Sequence, residues 1–175
     1  MKILVAGVGN VLRADDAFGV EVAHLLEKME WPEGVRVVET GIGGIALVQE
    51  LQEGWDALVI IDCVDLGRPP GHLMLILPEV VDVNTLSVDQ RRDMLADMHL
   101  ATPERVMMLA RALGVLPDKL LMVGCQPEDP EAVRQGMSAP VEAAVPRAVQ
   151  EILRHVDQLL AEERAAVADH GERSA

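Results

Sequence analysis

Four side chains in this sequence stand where they could do chemistry. Asp15 and Asp16 follow Gly7-Val8-Gly9-Asn10 within one short loop, Asp62 ends the apolar run Val59-Ile60-Ile61, and His99 lies in Met98-His99-Leu100-Ala101. Carboxylates suit hard divalent ions and imidazole suits zinc, nickel or iron, so acids and a histidine gathered from separate loops make a divalent-metal site. Each residue also has a plainer reading. Asp15 could cap a helix starting near Ala17, Asp62 could be the first polar residue to leave a strand, and His99 could be a satisfied, partly buried histidine. Gly7-Val8-Gly9 adds a phosphate cradle to the choices. A dinucleotide fingerprint needs a further glycine three residues on, where Leu12 stands. Two carboxylates offset only by Arg13 would also repel a pyrophosphate. Glu39, ending the second apolar run as a ribose-binding acid could, keeps that nucleotide reading alive as the weaker one.

Stepping outward, short apolar runs alternate with longer amphipathic ones. Strands are expected over residues 2–7, 35–39, 57–61, 72–77 and 119–123. Helices are expected over 17–30, with Val22, Leu25, Leu26 and Met29 on the inward face, over 44–53 after the Gly41-Ile42-Gly43-Gly44 turn, and over 140–160. Thr102-Pro103-Glu104 reads as a helix start with a hydroxyl cap, and that helix runs to about Leu113. Residues 78–97 are polar, a loop and one helix. The β-α-β-α-β order predicts an α/β fold: a three-layer α/β/α sandwich around a mostly parallel, five-stranded twisted sheet. In such sheets ligands bind beyond the carboxyl ends of the strands, where Asp15, Asp16 and Asp62 fall. Residues 1–160 form one domain on this reading, and 161–175 a charged, fraying tail.

Composition narrows the function. The chain has 175 residues, half of them hydrophobic and 2% aromatic, and a formal net charge of −14. That charge argues against nucleic acid and anionic lipid as partners and favours a cation or a basic protein surface. Cys63 and Cys125 form no Cys-x-x-Cys pair and read as core thiols; no Ser-His-Asp or Cys-His set can be assembled around them. The apolar start at residues 3–8 is too short for a signal peptide. No stretch approaches the ~20 apolar residues of a membrane helix. A cytoplasmic protein, monomeric and free of membrane, is expected.

Together, Gly7-Val8-Gly9-Asn10-x-Leu12-x-x-Asp15-Asp16-x-x-Gly19, Ile61-Asp62, Met98-His99 and the strand Leu120–Gly124 with Gln126-Pro127-Glu128 resemble the hydrogenase maturation protease family. The resemblance runs from Met1 to about Leu160. Its specific part is the glycine-asparagine-acid motif. It implies an endopeptidase that trims the C-terminal extension of the nickel-iron hydrogenase large-subunit precursor. It also implies a metal site at Asp16, Asp62 and His99, with the nickel supplied by the precursor, or another divalent metal in its place; Asp15 would then cap a helix, orient a metal ligand without touching the ion, or act as a base. Ala17 replaces a glycine common in the family, and the 41–44 loop lacks a threonine often seen there. Two other functions stay open: a non-cleaving metal-sensing or chaperone module for the precursor, and a nucleotide-binding enzyme.

Overall fold

The structure, a computed structural model, describes residues 1–42, 44–96 and 102–172. The apolar runs become β1 (Ile3–Val8), β2 (Val35–Gly41), β3 (Ala57–Cys63), β4 (Leu73–Ile76) and β5 (Lys119–Cys125). They form one sheet in the order β2-β1-β3-β5-β4. Only the β4–β5 pairing is antiparallel. The helices are α1 (Phe18–Leu26), α2 (Gly44–Leu51), α3 (Val88–Ala96), α4 (Pro103–Ala112), α5 (Ala139–Glu142) and α6 (Val145–Glu172), with 3-10 turns at Ala14–Ala17 and Val83–Thr85.

Alternation along the strands separates two cores. Ile3, Val5, Val59, Ile61, Leu121 and Val123 point to one face, under α1 and α6. Leu4, Ala6, Leu58, Ile60 and Met122 point to the other, under α2 and α4. A strand buried on both faces reads as a continuous apolar run, which is why β1 and β3 are so plain in the sequence. The three-layer α/β/α arrangement follows.

The chain leaves β1 towards β2 on one side and returns to β3 on the other. The carboxyl ends of β1 and β3 therefore flank the point where the winding reverses, and a crevice opens at such a point.

Two elements differ from expectation. The first helix begins as the 3-10 turn Ala14–Ala17, and its buried face is Phe18, Val22, Ala23 and Leu26, while Leu25 and Met29 are exposed. The chain stays close to β1 and β3 at Gly19, and that contact sets the helix's rotation. The last helix breaks at Ala143–Ala144, because Pro146 has no N–H to continue the ladder. It then runs on to Glu172, past the expected end near 160. That extension is rich in alanine, glutamate and arginine, all strong helix formers, and Glu163 pairs with the amino group of Met1. Thr102 caps α4 as expected, its hydroxyl accepting from the Arg105 amide at 3.5 Å.

The contact at Gly19 is among the tight backbone approaches of the fold. A Cβ there would overlap the carbonyl oxygens of both Val8 and Ile61. Because backbone rather than a flexible side chain is in the way, Gly19→Ala should cost about 3 kcal/mol or more of unfolding free energy. Urea denaturation measures it, and an unchanged midpoint would show that α1 does not approach the strands this closely.

Candidate active site

Asp62 lies one residue from the end of β3 and is 8% exposed. One carboxylate oxygen accepts the Cys63 amide at 2.8 Å. Burial dominates that bond and pushes the carboxyl up to about 8, with the charge of Asp16 adding to the rise. Asp16, half-buried in the 3-10 turn, is raised as well, chiefly by lost solvation; Arg13 and the Asn10 backbone pull it back. The charge of Asp16 is thus felt at Asp62, where it makes ionisation harder.

Glycine at two positions makes this juxtaposition possible. Gly9 has φ +146°, open to glycine and strained for other residues, and a Cβ there would overlap the Asp16 carbonyl. With Gly19 against the carbonyls of Val8 and Ile61, the turn carrying Asp16 is drawn onto the ends of β1 and β3. The glycines admit the acids to the crevice.

The turn makes no phosphate cradle. Its amides are already spent: Gly9 N–H on the Gly41 carbonyl, Asn10 on Asp16, Leu12 on the Asn10 side chain and Arg13 on the Asn10 carbonyl. Glu39, the candidate ribose acid, stands 4.0 Å from His24 Nε2. With its amides already bonded, the turn offers a phosphate no free cradle.

Asp15 does not cap a helix, contrary to expectation. The N-cap of α1 is Ala17, with no side-chain bond. The Asp15 carboxylate, 1% exposed, instead accepts from Ser138 N at 2.6 Å, Ser138 Oγ at 2.9 Å and Glu128 N at 2.8 Å. Asn cannot replace it freely, since its amide would aim an N–H at one of those donors.

Cys63 is no nucleophile. Its thiol donates to the Cys125 carbonyl at 3.3 Å, and burial with acidic neighbours pushes it far above the usual range. Burial likewise pushes Cys125 up to about 12.

His99 lies outside the described residues. The structure therefore brings together Asp16 and Asp62 of the three expected ligands. Among the described residues, no group of three His, Cys, Asp or Glu side chains could hold a metal.

Two residues were not legible as site builders. Gln126, 4% exposed, accepts the amides of Leu66 and Arg68 at 2.8 and 3.0 Å and donates to Asp65 at 2.8 Å, shaping the loop that leaves β3. Ser138 reaches Asp15 across 123 positions. No local pattern could reveal that partner, although the serine before Ala139-Pro140 does signal a helix start.

The chain is similar to known proteins over most of its length. Residues 20–155 match the hydrogenase maturation protease family. The hydrogenase expression/formation protein HoxM of Azotobacter vinelandii is 34% identical over 154 residues, which are 85% of this chain and 69% of HoxM. HupM of Azotobacter chroococcum is 35% identical over 147 residues, 81% of this chain and 65% of HupM. The solved structure of the hydrogenase maturating endopeptidase HybD from E. coli superimposes with a TM-score of 0.71 at 30% identity, covering 90% of this chain and 93% of HybD.

The raised carboxyl of Asp62 has a consequence for stability. Its ordinary value is 3.8 and its folded value about 8. Between these the folded protein holds a proton that the unfolded chain releases, so stability falls as pH rises through this window. The slope is at most about 1.4 kcal/mol per pH unit. In metal-free protein, denaturant midpoints from pH 5 to 8 should decline, and Asp62→Asn should flatten the decline. Parallel slopes in both proteins would show that Asp62 carries no such proton.

Proposed function

The chain belongs to the hydrogenase maturation protease family, and from that premise we propose that it cuts the C-terminal extension from a nickel-loaded hydrogenase large-subunit precursor, with Asp16, Asp62 and His99 as its contacts to the metal. The observation that carries this reading is the acid pair itself. Two adjacent carboxylates, both raised by burial, are relieved by a divalent cation more completely than by any neutral ligand. The hydrolase activity and the precursor as partner go with the family. Nickel as the recognised ion, and the three residues as its ligands, are this proposal's own content.

The nickel is part of the substrate. Bound to the precursor with positions open, it would accept Asp16, Asp62 and the neutral imidazole of His99. Asp62 would meet the cation as its carboxylate, its proton passing to solvent, which joins recognition to ionisation. An ion held there would supply polarisation of the scissile carbonyl and a more acidic water. Water then adds across the peptide bond, its hydroxyl going to the new carboxyl terminus and its hydrogen to the amine of the released extension. Neither cysteine takes part.

The carboxyl-rich crevice also supplies the reason for licensing. A site of two carboxylates and one imidazole lacks a thiolate, so it holds a free divalent ion only moderately against cellular chelators. An ion already anchored in the precursor escapes that competition. The crevice then takes loaded precursor in preference to empty precursor. Among the described residues no helix is long and apolar enough to cross a membrane, which supports action in the cytoplasm, where we place it.

Purified protein mixed with nickel-loaded precursor should shorten it, read as loss of the extension by intact mass, while metal-free precursor stays whole. Asp16→Asn, Asp62→Asn and His99→Ala should each slow cleavage by about 100-fold or more. Equal cleavage of loaded and empty precursor would end nickel licensing. Stable binding of loaded precursor without any mass change would favour the non-cleaving chaperone.

A further inference from the structure

The turn that carries Asp16 is held from one side by the glycine contacts and from the other by a stretch of chain that the proposed chemistry does not use. Between β5 and α5, residues 128–138 receive five hydrogen bonds from or to that turn. Asp15 accepts from Glu128 N, Ser138 N and Ser138 Oγ; Ala14 N donates to the Arg134 carbonyl at 2.8 Å; and Arg13 Nη2 donates to the Pro130 carbonyl at 3.2 Å.

Two features show that this attachment takes precedence over local preferences. Ser138 occupies the N-cap of α5, yet its hydroxyl makes no cap bond and goes to Asp15 instead. Ala14 adopts φ +45°, a left-handed conformation costly for a residue with a Cβ, and is fully buried. Such strain persists only where the surroundings over-determine it. A merely solvated turn would relax.

We propose that Asp15 is a positioning residue for cleavage: its buried carboxylate clamps the Ala14–Ala17 turn to the 128–138 stretch and so sets the direction in which Asp16 presents its carboxylate towards Asp62. Asp15 and Asp16 share a peptide bond, so three hydrogen bonds on the first fix the backbone from which the second projects. The clamp touches neither the peptide being cut nor the metal. Its contribution is to the approach of Asp16, and a misplacement of about 1 Å at a reacting centre can cost on the order of 100-fold in rate. The inference rests on the proposed cleavage reaction for its functional meaning, while the clamp itself is measurable without substrate.

The test uses the full chain and two variants. Asp15→Asn turns an N–H towards a donor, and Ser138→Ala removes the hydroxyl donor while keeping the backbone N–H. With nickel-loaded precursor, Asp15→Asn should lower kcat about 100-fold with KM within about 3-fold, and Ser138→Ala should lower kcat less. Ser138→Thr, which keeps the hydroxyl, should recover most of the loss. Because the two residues act as one unit, the double variant should be no worse than Asp15→Asn alone. Hydrogen exchange is read in parallel: the amides of Ala14, Glu128 and Ser138 should exchange at least about 10-fold faster in Asp15→Asn, while those of β1 and β3 keep their protection. Unchanged exchange at the three amides would overturn the clamp, whether or not the precursor is cut. Faster exchange with unaltered kcat, or additive effects in the double variant, would overturn its role in positioning. Wild-type protein that leaves loaded precursor whole refutes the cleavage reading instead, and the exchange measurement still decides the clamp.

Discussion

Backbone meets backbone at the carboxyl ends of β1 and β3, with no side chain between, and most of what distinguishes this protein follows from that contact. Gly19 seats α1 against the carbonyls of Val8 and Ile61, and Gly9 lets the preceding turn close over the Asp16 carbonyl. The helix is thereby brought down onto the end of β3, which buries Asp62. The same approach carries Asp16 to its side. Packing and electrostatics are opposed here: the close fit that stabilises the helix on the sheet takes water away from two carboxylates and sets their charges against each other. Burial holds the Asp62 carboxyl well above its ordinary value, and in the proposed function a cation takes over the relief that a proton gives.

The turn also illustrates how one glycine-rich pattern serves opposite chemistries. A phosphate-binding loop keeps its amides free and aims them at the ligand. Here the amides of Gly9, Asn10, Leu12 and Arg13 are turned inward on carbonyl oxygens and the Asn10 side chain. With the donors consumed, the groups left facing the crevice are acceptors. Asn10 is the residue that makes the difference, since it supplies two of those acceptors from one position.

Legibility followed the range of the interactions involved. Strand positions were readable because β1 and β3 are buried on both faces and carry unbroken apolar runs. The start of α4 was readable because capping is local, contained in Thr102, Pro103 and Arg105. Asp62 could be picked out because a single acid after such a run marks a strand's carboxyl end. The face of α1 was misread because its rotation is set by the contact at Gly19, which periodicity does not encode; Leu25 and Met29 turn outward for that reason. The break before Val145 was missed where a proline overrides a periodic pattern. The bond between Asp15 and Ser138 was invisible, because nothing in either neighbourhood announces a partner 123 residues away.

That hidden bond explains why the sequence carries two acids in tandem. In a 3-10 turn successive side chains diverge by about 120°, so neighbours cannot serve one space. Asp15 turns into the protein and meets three donors. Asp16 is met by the charge of Arg13 and one backbone bond from Asn10, and its loss of solvation outweighs both. One acid is fully hydrogen-bonded; the other loses solvation with less compensation, and in the proposed function a cation makes up that deficit. On the proposed clamp the tether of the first holds the second in place, where an untethered turn would let Asp16 rotate out to water. A single aspartate at this turn could not do both.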